Sequence, residues 1–89
     1  VDIIIGPLSG SEGIAMRDFA KTIPGNVVIN GISGALETTW VDPAPNFYRF
    51  NLDGAQWGYG LGSYVVKQKN WRRVVTIAAD YSFGYTNFM

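Results

Sequence analysis

Three consecutive isoleucines, Ile3, Ile4 and Ile5, run without alternation into Gly6 and Pro7 and then into Leu8, Ser9, Gly10 and Ser11. A β-branched run with no polar position reads as a strand covered on both faces, the situation of strands in a parallel sheet. Gly6 and Pro7 stop it. The small residues beyond them put backbone N–H groups and hydroxyls where a helix begins, the position at which an anionic or polar group is most readily bound. Ser9, Gly10 and Ser11 are therefore candidate ligand-binding residues. Later stretches repeat the same plan, so the expected fold class is α/β, a parallel sheet flanked by helices.

The first helix is expected from near Ser11, with a serine hydroxyl as N-cap and Glu12 in the first turn. Ile14, Phe19 and Ile23 form its apolar stripe, and Arg17 and Lys21 fall on the wet side. Pro24-Gly25-Asn26 ends it. Val27-Val28-Ile29-Asn30 reads as a second strand and opens into another small-residue loop, Gly31-Ile32-Ser33-Gly34-Ala35. Residues 36–46 are an irregular excursion, since Pro43 and Pro45 exclude a helix. Within it Trp40 either packs the loop onto the body or covers the edge of a pocket.

Phe47-Tyr48-Arg49-Phe50 is a third strand, whose Arg49 should pair with a carboxylate or with loop carbonyls, because a buried unpaired cation is costly. Asp53 is a candidate N-cap for a helix over residues 54–69, in which Trp57, Leu61, Tyr64, Val65 and Gln68 recur at three- and four-residue steps. Gly58, Gly60 and Gly62 lie inside that helix and not after a strand, which favours close packing over a phosphate loop. Residues 73–79 are the expected fourth strand, residues 80–85 its exit loop, and a further helix is expected to start at Asn87-Phe88-Met89. In parallel sheets ligands bind at the carboxyl ends of strands. The three loops there, with Ser9-Gly10-Ser11, Ser33-Gly34 and Tyr81-Ser82-Phe83, describe a pocket for a molecule with a polar head and an apolar body.

Composition removes several function classes. Seven cationic and seven anionic side chains balance to a formal charge of zero, whereas nucleic-acid binding needs a basic surplus. The local cluster of Lys67, Lys69, Arg72 and Arg73 reads as a solvated helix end. Cysteine and histidine are both absent from the sequence, so no thiolate chemistry is available. Gly31-Ile32-Ser33-Gly34-Ala35 loosely resembles a nucleophile elbow, but Ser33 has no histidine to activate it. A serine hydrolase fragment is therefore the weaker alternative, and Glu12 with Glu37 as an acid and base pair is weaker still. No catalytic residue, metal ligand or cofactor is assigned. No stretch approaches the length of a membrane span. The chain opens within a strand and closes at a helix start, so it is expected to be part of a longer protein.

Four stretches together carry a family resemblance: Ile4-Ile5-Gly6-Pro7-Leu8-Ser9-Gly10, Asn30-Gly31-Ile32-Ser33-Gly34-Ala35, Phe47-Tyr48-Arg49-Phe50 and Ala79-Asp80-Tyr81-Ser82-Phe83-Gly84. In this order and spacing the chain resembles the type I periplasmic binding proteins, and within them the branched-chain amino acid receptors of ABC transporters. The resemblance implies two Rossmann-like lobes that close on a ligand by hinge motion. Residues 1–50 would belong to the first lobe, with the crossing near residues 49–52, and residues 51–89 would start the second.

Carried over position by position, Ser9, Gly10 and Ser11 fall where the family binds the ligand's carboxylate. Ile32, Ser33 and Gly34 lie on the adjacent loop, and Tyr81 and Phe83 at the cleft, where many relatives have a tyrosine at the position of Phe83. Gly10 stands at a position that is often serine, so recognition there would rest on its backbone N–H. The family's acidic partner for an amino group has no counterpart in residues 1–89, so an aromatic or aliphatic acid fits as well as an amino acid. The implied function is that of an extracytoplasmic solute-binding component of an ABC importer, periplasmic or lipid-anchored outside the inner membrane. Its implied partners are a small carboxylate ligand and the transporter's membrane permease, with no catalysis of its own. A ligand-sensing receptor domain on the same scaffold is the alternative.

Overall fold

A three-stranded parallel sheet organises the structure, a computed structural model that describes residues 1–87. Strand β1 (Ile3–Ile5) pairs with β2 (Val27–Asn30), which pairs with β3 (Phe47–Arg49), in the spatial order β1-β2-β3. Ile4 stands opposite Val28, and Val28 opposite Phe47, so these three side chains share one face. Helix α1 (Gly10–Thr22) covers that face. Ala20, Val28, Ala44 and Phe47 form the buried cluster, with Ile4 and Met16 packed against it. A mixed α/β fold results.

The opposite face of the sheet is open. Ile3, Ile5, Val27 and Tyr48 are exposed on it, so β1 is a half-covered edge strand and not the doubly buried strand its isoleucines imply. The physical reason lies in the supply of helices. α1 is the one long helix among the described residues, and it can cover a single face.

α1 starts earlier than expected. Ser9 caps it, its hydroxyl accepting from Glu12 N at 3.2 Å, while Glu12 Oε2 accepts from Ser9 N at 2.9 Å. Ser9 wins over Ser11 because only Ser9 has a glutamate three residues on, the spacing a capping box requires. The buried line of α1 runs through Gly13, Arg17 and Ala20, leaving Phe19 half-exposed. Arg17, expected in solvent, is buried because the excursion folds over it and needs donors for its carbonyls. Its Nη1 reaches Glu37 O at 3.0 Å and Asp42 O at 2.6 Å, and its Nε reaches Asp18 Oδ1 at 2.7 Å. At the helix's far end Asn46 Nδ2 gathers the carbonyls of Ala20, Ile23 and Asn26 at 2.8–3.0 Å, fastening α1 to the start of β2.

The expected helix over residues 54–69 is broken. α2 (Gly54–Trp57) is one turn capped by Asp53 and Gln56. A left-handed Gly60, φ 82°, then separates it from α3 (Leu61–Ser63), which runs into a π-helical turn, Tyr64–Gln68. Gly58, Gly60 and Gly62 each lower helix propensity by roughly 1 kcal/mol, and none of the side chains of α3 is buried to offset that. Residues 73–79, the expected fourth strand, have no regular secondary structure and pair with no strand among the described residues, and every one of them is exposed. A strand's N–H and C=O groups need a neighbouring ladder, and residues 73–79 have none among the described residues. α4 (Ser82–Thr86) returns to pack on α1 and α2. α4 thus takes up most of the expected exit loop, and Asn87, where a further helix was expected to start, closes α4 instead; Phe88 and Met89 lie outside the described residues. The protruding segment makes the molecule elongated, 52 × 21 × 18 Å.

Candidate functional site

The carboxyl ends of β1 and β2 open into one cleft of about 390 Å³. Leu8, Ser9 and Gly10 line it from the first loop and the start of α1, Ile32 and Gly34 from the second loop, and Trp57, Tyr81 and Phe83 from α2 and the first turn of α4. Six of the eight residues singled out in the sequence, Ser9, Gly10, Ile32, Gly34, Tyr81 and Phe83, thus meet around one hollow. Ser11 and Ser33 do not line it. Ser11 Oγ lies 3.3 Å from Ser82 Oγ, joining the first turns of α1 and α4. Ser33 is fully buried against Gly13, its hydroxyl without a hydrogen-bond partner. A methyl group on Gly13 would come within 2.1 Å of that hydroxyl, so the serine faces the helix and not the cleft.

Each wall is held from behind. Asn30 Oδ1 accepts from Ser33 N at 2.8 Å and Ile32 N at 3.2 Å, its Nδ2 donates to Ser33 O at 2.7 Å, and Asn51 Nδ2 donates to Ile32 O at 2.8 Å. An asparagine that closes a strand and bonds its own backbone two and three residues on makes a tight turn, and this one sets the second loop. Gly34 lets the third wall approach, since a Cβ there would stand 2.9 Å from ring atoms of Phe83. Gly10 does the same for α4, where a Cβ would reach 2.5 Å from Ser82 Oγ and 2.9 Å from Phe83 N. The Phe83 ring meets Trp57 edge-on at 5.9 Å and 86°, and Tyr81 at 6.1 Å and 48°.

Electrostatics at the cleft are set by backbone. The N–H of Ser9, and then its hydroxyl, hold the Glu12 carboxyl below the usual glutamate range. Those groups of Ser9 are therefore already engaged. Gly10, which lines the cleft at the first helical position, has an amide with no carbonyl four residues upstream within the helix. That amide, with the positive end of the α1 dipole, is the donor suited to an anion. Asp42 is also held low, first by its hydrogen bond from Lys21, 2.7 Å away, but it lies in the excursion beside the far end of α1, away from the cleft.

Arg49 meets the expectation that it pairs locally. Its Nη2 lies 3.0 Å from Asp53 Oδ2 and its Nη1 donates to Ala35 O at 3.2 Å, both side chains being buried. Trp40 Nε1 donates to the same Asp53 oxygen at 3.1 Å, which ties the excursion to the start of α2. Its ring, largely exposed, lines a second hollow of about 430 Å³ with Leu36, Leu52, Asp53, Ala55, Gln56 and Tyr59. Asp53's oxygens are already shared among Arg49, Trp40 and the α2 cap, so that hollow offers few free polar groups.

Two lining residues, Leu8 and Trp57, escaped the sequence reading. Trp57 reads as one member of a helical stripe, and the structure places it at the end of α2, edge-on to Phe83. Among the described residues no three His, Cys, Asp or Glu side chains gather as a metal site, and no helix is long and apolar enough to cross a membrane. No family model matches the chain, and neither a curated protein nor a solved structure matches it.

Proposed function

We propose that this chain is part of an extracytoplasmic solute-binding protein of the type I periplasmic kind, which takes a small carboxylate ligand for an ABC importer and catalyses nothing itself. One observation carries the reading: loops that follow two neighbouring parallel strands form, with an aromatic wall, a single cleft beside the N-terminal end of α1. On this reading residues 1–50 contribute to one Rossmann-like lobe and residues 51–89 begin the other, and the membrane permease is the partner that receives the ligand. The cleft's lining side chains carry no charge, which suits holding a ligand by amides and apolar surface.

Ligand-observed saturation-transfer NMR on the 89-residue chain tests this reading. Small carboxylates should receive saturation and bind at least about tenfold better than their neutral amides, the share expected of charge-assisted hydrogen bonds. Ile32→Asp, at an exposed loop position of the cleft, should weaken carboxylates by placing a like charge beside them. Equal binding of acids and amides, or no transfer to any carboxylate, would sink the reading.

A further inference from the structure

We propose that the cleft selects a flat aromatic body over a branched aliphatic one, and that Trp57 sets this preference. The proposal rests on the reading of the cleft as a carboxylate site. Trp57 and Phe83 stand nearly perpendicular, 86° apart with centroids at 5.9 Å, and so form two walls of a corner. Phe83 is seated on the bare backbone of Gly34, where a Cβ would stand 2.9 Å from its ring atoms. Its plane is thereby fixed from behind. Tyr81, tilted by 48° at 6.1 Å, continues the wall.

A planar ring entering such a corner can stack on one wall and present its positive edge to the face of the other, the two geometries aromatic pairs prefer. A branched aliphatic group fills the same space but gains burial alone. Trp57 is 63% exposed, so much of its ring remains available to a ligand. The ammonium of an amino acid would meet no carboxylate among the lining residues, whereas an acid without an amino group leaves no such charge uncompensated. The favoured class is therefore aromatic carboxylic acids that lack an α-amino group.

The test compares benzoate, cyclohexanecarboxylate and leucine on the 89-residue chain by saturation-transfer titration, with Trp57→Leu and Trp57→Phe alongside. Benzoate should bind roughly three- to tenfold tighter than cyclohexanecarboxylate, the range set by aromatic pair energies beyond burial. Trp57→Leu should close that gap and Trp57→Phe should keep most of it, with far-UV circular dichroism unchanged in both. If benzoate and cyclohexanecarboxylate bind alike, or leucine binds best, the aromatic preference falls while the carboxylate reading stands. A gap that survives in Trp57→Leu removes Trp57 from its role. Failure of all three acids to bind takes down the carboxylate reading itself.

Discussion

Strand β2 and residues 73–79 are both rich in β-branched side chains and end in opposite circumstances. Val28 sits in the sheet with no accessible surface, whereas Val75 is 85% exposed and Ile77 92% exposed. β-Branched residues fit a pleated surface, but the pleat exists only where a neighbour offers a ladder and a helix offers a cover. β2 has both, with β1 and β3 on its flanks and α1 above it. The 73–79 segment has neither among the described residues. A run of valines and isoleucines is thus not sufficient for a buried strand.

That contrast can be broken most severely at Phe47. Phe47→Ala removes the largest member of the buried cluster and should lower unfolding free energy by roughly 3–5 kcal/mol in urea titrations followed by circular dichroism; a loss under 1 kcal/mol would mean the cluster does not hold the fold. Asn46→Ala, which frees the carbonyls at the end of α1, should cost about 1–3 kcal/mol, and amide exchange should rise at the last turn of α1 before it rises in β3. The smallest effect is expected on the other side of the comparison. Ile77→Ala should change stability by no more than about 0.5 kcal/mol, and a loss comparable to that at Phe47 would show that residues 73–79 are packed in solution.

Legibility followed locality. The capping chemistry at Asp53, the stop at Pro24-Gly25-Asn26 and the local pairing of Arg49 could be read from neighbours a few residues away. The serine cap of α1 is legible too, and which of the chemically alike Ser9 and Ser11 supplies it is decided by the reach of Glu12. Arg17 was misjudged. Its partners, the carbonyls of Glu37 and Asp42, lie 20 and 25 residues away, beyond any helical pattern. Ser33 shows the same limit within the candidate site, since its loop is at the strand end as expected while its hydroxyl turns to Gly13.

Alternation of apolar runs with small-residue loops by itself determined that β1 and β2 would be parallel and joined through a helix, with their loops at one edge, because strand and helix periods are written in consecutive residues. Tertiary structure alone decided that one face of the sheet is covered and the other open, that residues 73–79 find no ladder, and that Trp57 joins Phe83 at the cleft. Those outcomes depend on which distant surfaces come within a few ångströms of one another. Contact between segments far apart in the chain is a property of packing, and no local pattern encodes it.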